Sequence, residues 1–80
     1  MPRYYFHLHN GIGDAEDGEG TELPNLDAAR KFAIESARSI LSEEAKEGLI
    51  DLASSIDVAD EHGNILLTLS FREAVELRGE

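Results

Sequence analysis

The stretch that decides the fold runs from residue 25 to residue 48 and reads NLDAARKFAIESARSILSEEAKEG. Its apolar residues recur every three or four positions, which is the spacing of an amphipathic helix. They form one face of that helix: Leu26, Ala29, Ala33, Ala37, Ile40 and Leu41. The pattern predicts a helix over residues 26–47, with Asn25 as its N-cap and Gly48 just after its last turn.

Before this helix, residues 3–10 alternate in the way that is typical of a half-buried strand. One side of the strand is apolar and consists of Tyr4, Phe6 and Leu8. The other side carries Arg3, Tyr5, His7 and His9. We expect the apolar side to pack against the helix, which leaves the side with the histidines open.

After the helix, residues 55–70 predict a hairpin with a two-residue turn at His62–Gly63. The register pairs apolar residues on one face, Val58 with Leu67 and Ile56 with Leu69. On the opposite face it pairs Asp57 with Thr68 and Ala59 with Leu66. Residues 70–73 then match a capping box and are followed by the apolar residues Ala74, Val75 and Leu77, which predicts a short closing helix.

The order of these segments predicts a single α+β domain over residues 1–80. We expect an antiparallel sheet of three or four strands, one long helix packed on one face, and a short C-terminal helix. The order is β-(β)-α-β-β-α, in which the bracketed strand is a short edge strand near residues 21–23. Residues 11–22 are predicted to form a flexible acidic loop, because five acids and little apolar content occur there: Asp14, Glu16, Asp17, Glu19 and Glu22.

The composition excludes several classes of partner, site and location. Seventeen acidic and seven basic side chains give a formal net charge of -10, which repels nucleic-acid backbones and anionic lipid surfaces. No cysteine is present, so disulfides and thiolate sites are excluded and a reducing cytoplasm is the expected location. The longest apolar runs are too short for a signal-peptide core or a membrane span.

Few residues suggest catalytic or cofactor chemistry. The segment Gly11-Ile12-Gly13 lacks the third glycine of a dinucleotide fingerprint, and the acids around it would repel a pyrophosphate. No nucleophile or acid–base constellation stands out, so we predict a protein without catalytic residues or cofactors. An alternative prediction is a metal site formed by His7 and His9, with Asp57 on a neighbouring strand as the third ligand.

The leading hypothesis concerns the side of the sheet that faces away from the helix. We expect it to act as a contact surface for a protein partner, and first of all for a second copy of the chain in a homodimer. The residues predicted to form this surface are Tyr5, His7, His9, Leu66 and Thr68.

Four sequence segments resemble a family of small bacterial proteins known as domain of unknown function 6894 (DUF6894). They are PRYYFHLHNG at 2–11, DGEGTELPNLDAAR at 17–30, IDVAD at 56–60 and FR at 71–72. This resemblance implies no activity, cofactor or catalytic residue. The chain is also loosely similar to the partial ferredoxin-like domain of HicB-type antitoxins, although it has no appended DNA-binding segment. That second likeness implies, as a further alternative, an acidic domain that sequesters a basic protein.

Overall fold

The computed structural model describes residues 1–10 and 13–75. Gly11 and Ile12, with which the predicted acidic loop begins, and Leu77 of the predicted closing helix lie outside the described residues. The elements follow one another as β1 (Arg3–His9), β2 (Asp14–Ala15), β3 (Thr21–Glu22), α1 (Leu26–Glu47), β4 (Ser55–Ala59), β5 (Ile65–Ser70) and α2 (Phe71–Ala74). The predicted α+β architecture is confirmed.

All strand pairs are antiparallel, and the order across the sheet is β2-β1-β4-β5, with β3 also paired to β1. Since β4 occupies one edge of β1, the two short strands share the other edge. There β3 pairs with residues 3–4 and β2 pairs with residues 8–9. The acidic segment therefore contains two short strands. The sequence predicted the second, near residues 21–23, and missed β2.

The prediction for α1 is confirmed at both ends. The Asn25 side chain accepts a hydrogen bond of 2.9 Å from the Ala28 backbone N–H, and Gly48 follows the helix with a φ of 87°. The residues of α1 that are fully or almost fully buried are Ala29, Ala33, Ala37 and Leu41. Leu26 is an exception to the predicted apolar face: it is exposed, at the first position of the helix.

The core lies between α1 and one face of the sheet. A row of alanines lets the helix axis approach the sheet closely, and larger side chains from Val58, Leu69 and Phe71 fill the remaining space. From β1, Tyr4 is buried and Phe6 packs on Phe32 with ring centroids 4.7 Å apart. The predicted orientation of β1 is therefore confirmed.

The hairpin register is confirmed for three of the four predicted pairs: Ile56 with Leu69, Asp57 with Thr68, and Val58 with Leu67. The fourth is wrong, because Ala59 lies opposite Ile65 and not Leu66. The turn also differs from the prediction, since the Asp60 N–H donates to the Asn64 carbonyl at 2.9 Å and closes a three-residue loop. A three-residue loop shifts the strand pairing by one residue from the predicted register, and a β-bulge next to Val58 restores the predicted pairs from Val58 onward.

The closing helix α2 is short and is fixed at both ends. The predicted capping box is confirmed, because the Ser70 N–H donates to Glu73 Oε2 at 3.0 Å and the Glu73 N–H donates to Ser70 Oγ at 3.3 Å. At its other end, Arg38 Nε of α1 donates to the Ala74 carbonyl at 2.7 Å. The two helices are thus joined by a side-chain bond as well as by apolar packing.

Candidate interaction surface

The sheet has a second face, opposite α1, which we call the open face. Directly paired residues on neighbouring strands point to the same side of a sheet. The open face therefore consists of three cross-strand rows, which are Tyr5–Ala59–Ile65, His7–Asp57–Thr68 and His9–Ser55–Ser70. Neither α1 nor α2 packs over these rows, because both contact the other side, although Ala59 is buried among its neighbours and is 1% exposed.

The structure brings together four of the five residues predicted for this surface: Tyr5, His7, His9 and Thr68. Leu66 is not among them. As the extra residue of the bulge it has no direct partner on β4, and it lines an exposed depression with Pro2, Arg3 and Tyr4 at the end of the sheet. Ile65 lies opposite Ala59 instead. Sequence reasoning missed Ile65 because a regular two-residue hairpin places Leu66 on the open face and points Ile65 to the other side.

A polar network crosses the middle of the open face. Asp57 accepts a hydrogen bond of 2.7 Å from Thr68 Oγ1, and its other oxygen lies 2.7 Å from His9 Nε2. The second ring nitrogen of His9, Nδ1, lies 2.9 Å from Asp14 Oδ1 of β2. A protonated His9 thus donates to a carboxylate from each ring nitrogen and connects three strands of the sheet.

The charges in this network shift the acid–base behaviour of its members. Two hydrogen bonds raise the pKa of His9 above its ordinary value of 6.5: the bond to Asp14 is the largest cause and the bond to Asp57 is the next. For Asp57, burial raises the pKa, but the hydrogen bonds from Thr68 and His9 outweigh it and hold that pKa below its ordinary value of 3.8. Both shifts favour the charged forms, so His9 and Asp57 form an ion pair at pH values between 3.8 and 6.5.

The acidic segment is fastened to this face by Asp17. Its Oδ2 accepts from the Phe6 N–H at 3.2 Å, and its Oδ1 accepts from the Glu19 and Gly20 N–H groups at 3.1 and 3.0 Å. Its own N–H donates to His7 Nδ1 at 3.1 Å. Burial raises the pKa of Asp17, but these three backbone donors outweigh it and lower that pKa below its ordinary value of 3.8.

These contacts bear on the alternative of a metal site at His7 and His9. Both ring nitrogens of His9 and Nδ1 of His7 are within hydrogen-bond distance of the protein's own groups. In residues 1–10 and 13–75, no group of three or more His, Asp or Glu side chains has the geometry to hold a metal ion. The arrangement gives the metal hypothesis no support.

Residues 3–72 match the family model described as "Domain of unknown function (DUF6894)". The chain belongs to the DUF6894 family. The DUF6894 match includes all five strands and α1 and ends within α2, so the open face lies wholly inside the family domain. The search of curated proteins and the search of solved structures found no match, and the likeness of this DUF6894 domain to HicB-type antitoxins is therefore not shown. None of its described helices is long and apolar enough to cross a membrane.

Proposed function

We propose that this domain is a small, non-enzymatic, cytoplasmic interaction module that self-associates through the open face of its sheet. The observation that carries the proposal is that both α1 and α2 pack on one face of the sheet and neither packs on the other. The domain measures 41 × 27 × 17 Å between Cα atoms. Its shortest dimension is that of one helix layer on one sheet, so residues 1–10 and 13–75 form two layers.

The side chains of the first row support a protein contact at this face. Tyr5 is half-buried and stacks on His7, with ring centroids 6.5 Å apart and planes 13° apart. Ile65, in the same row, is 58% exposed. Aromatic and large apolar side chains are enriched in the centres of protein interfaces, where they provide contact area at a low cost in conformational entropy.

The charge distribution supports a second copy as the partner at this face. The chain has a net charge of -10, so most surfaces of two copies repel each other. On the open face, the charges of Asp14 and Asp57 are partly balanced by His9, which lies within 3 Å of both. Two open faces therefore meet with less repulsion than the acidic outer surfaces of α1 or of the segment 14–22.

The expected assembly is a four-layer sandwich in the order helix, sheet, sheet, helix. Two sheets pack face to face at a separation of about 10 Å, and residues from both inner faces then exclude water between them. Because both copies use the same surface, the contact is closed by a two-fold axis and the assembly stops at a dimer.

Light scattering coupled to gel filtration tests this proposal at chain concentrations of about 10 to 300 µM. We expect the mass of two chains for the natural sequence and the mass of one chain for the double variant Tyr5→Ser/Ile65→Ser. The matched control is Leu49→Ser/Ile50→Ser, which removes similar apolar area after α1 and should leave the dimer intact. A natural chain that stays monomeric throughout this range, or a sheet variant that still dimerises, contradicts the proposal.

A further inference from the structure

A second exposed apolar surface lies at the C-terminal end of α1, away from the open face. It is formed by the residues that line one depression, Glu44, Glu47, Leu49, Ile50 and Asp51, and we call it the helix-end patch. Leu49 is 76% exposed and Ile50 is 51% exposed. Two adjacent large apolar side chains in water, among carboxylates, have no role in the core.

The charges of the helix-end patch are unfavourable for the helix itself. The C-terminus of a helix carries a partial negative charge, so basic residues stabilise it and acidic residues destabilise it. Here Glu43, Glu44 and Glu47 occupy the last turns, and Lys46 is the basic residue in the last turn. Lys46 pairs with Glu43 at 3.3 Å, which leaves the negative charge of the other two carboxylates and of the helix end.

The apolar residues of the patch are equally out of place. Gly48 and Leu49 close the helix with a Schellman motif, in which their N–H groups donate to the carbonyls of Ala45 and Glu44 at 3.1 and 3.2 Å. In this motif, the residue at the position of Leu49 commonly packs on an apolar residue one turn back. That position here is Glu44, whose carboxylate instead accepts from the Asp51 N–H at 3.0 Å, so Leu49 lacks this partner.

The apolar surface continues beyond Leu49. Ile50 also lines a neighbouring depression together with Leu41, Leu52 and Val75. The helix-end patch therefore adjoins an apolar depression that α1, the segment after it and Val75 line together, and Ile50 belongs to both.

We propose that the helix-end patch binds a cationic amphipathic segment of a partner protein. Its apolar side chains would pack on Leu49 and Ile50, and its Lys or Arg residues would face Glu44, Glu47 and Asp51. This one ligand satisfies both features that destabilise the isolated chain, the exposed apolar pair and the surplus of negative charge at the helix end. A second copy of the chain does not suit the patch, because its charge of -10 has the same sign. The proposal is independent of self-association, since it uses a different surface.

The test is a titration of the natural chain with a synthetic amphipathic helix of about 18 Leu and Lys residues, followed by amide NMR shifts. We expect the shifts to centre on Leu49, Ile50 and Leu52, and the binding to weaken as salt is added. A peptide of the same composition in scrambled order should bind at least about tenfold more weakly, because its apolar residues do not form one face. Equal binding of the scrambled peptide, or shifts centred on the open face, overturns the proposal.

Two double variants separate binding from folding. Leu49→Ser/Ile50→Ser should weaken binding of the Leu/Lys helix by about tenfold, while the control Tyr5→Ser/Ile65→Ser should leave it unchanged. Glu44→Gln/Glu47→Gln should weaken binding and yet raise the melting temperature, because it removes acids from the negative end of α1. If the first variant binds as tightly as the natural chain, or the glutamine variant keeps full affinity, the assignment of the patch is wrong.

Discussion

The two edges of the sheet are protected in different ways. On the outer edge of β1, the acidic segment covers the strand, with β2 at one end, β3 at the other, and Asp17 accepting the Phe6 N–H between them. On β5, no strand is added in the part of the chain that the structure describes. That edge is interrupted instead by the bulge at one end and by the capping box at the other.

The alternation of backbone hydrogen bonds shows which N–H and C=O groups of β5 face away from β4. The Phe71 N–H donates to the Ser54 carbonyl at 2.9 Å, and bonding directions alternate along an antiparallel strand. Ser70 and Thr68 therefore point their backbone groups outward, and the Ser70 N–H is bonded to Glu73. Thr68 at the centre of β5 and Ile65 at its bulged end, next to the Asp60–Asn64 bond, are left with outward backbone groups. A sheet edge can thus be protected by a segment from elsewhere in the chain, as at β1, or by a bulge and a capping box within the strand's own ends, as at β5.

The largest expected effect comes from removing the clamp on the β1 edge. Asp17→Ala should lower the free energy of unfolding by about 2 to 4 kcal/mol, because three backbone N–H groups lose a charged acceptor and one of them lies in β1. Urea denaturation measures the change. The control Glu16→Ala removes the same charge from an exposed neighbour in the same segment and should cost less than about 0.5 kcal/mol. Equal losses for the two variants would mean that charge, and not the hydrogen bonds, holds the segment.

The close approach of the acidic segment to β1 gives the next effect. Gly20 has a φ of 73°, and a Cβ there would lie 2.8 Å from Arg3 Cγ and 3.0 Å from the Tyr4 carbonyl oxygen. Gly20→Ala should therefore cost about 1 to 3 kcal/mol in thermal or urea unfolding. In Gly18→Ala, the new Cβ meets no atom within 4 Å, so this control should be nearly neutral. A neutral Gly20→Ala would show that the segment does not lie as close to β1 as described.

The capping box at the end of β5 should contribute less to the free energy of unfolding. Ser70→Ala removes the hydroxyl that accepts from the Glu73 N–H, and loss of such a cap costs about 1 kcal/mol. Chemical denaturation provides the measurement, and Ser39→Ala, at an exposed site on α1, is the matched control. A loss for Ser70→Ala no larger than that for Ser39→Ala contradicts a stabilising role for the capping box.

The smallest effect is the pH dependence of the link between β2 and the open face. The pKa of His9 is raised in the folded state, so its stabilising contribution is complete below about pH 6.5 and is lost as the pH rises through the folded-state pKa. The pKa of Asp57 is lowered, so its contribution is lost at the acid end, as the pH falls through the folded-state pKa below 3.8. The effect is small because the His9 side chain is 40% exposed and surface ion pairs are weak.

Melting temperatures of the natural chain and of His9→Gln check this sign. The natural chain should exceed the variant by more at about pH 5.5 than at about pH 8. An NMR titration of the His9 ring should give a pKa above 6.5. A value at or below 6.5, or a larger difference at the higher pH, contradicts the described bridge between Asp14 and Asp57.

Much of the fold could be predicted from the sequence, but less of the surface. The helix α1 and the capping box of α2 depend on residues a few positions apart, so their spacing is visible in the chain. Four residues of the open face followed from simple alternation. Ile65 did not, because a bulge reverses the alternation without leaving a sequence signal that outweighs the turn pattern. The role of Asp17 was hidden as well, since it looks like one acid among five.

By itself, the sequence determined which segments are helical or extended and which side of β1 is apolar, because those properties arise from contacts within a few residues. The tertiary structure alone decided that Asp17 bonds to Phe6, eleven residues away, and that Asp57 meets His9 across a separation of 48 residues. A carboxylate has no preferred partner in the sequence; which donor it reaches depends on the path of the backbone between them. The electrostatics of the open face are therefore a product of the fold, although the open face itself follows from a two-residue period.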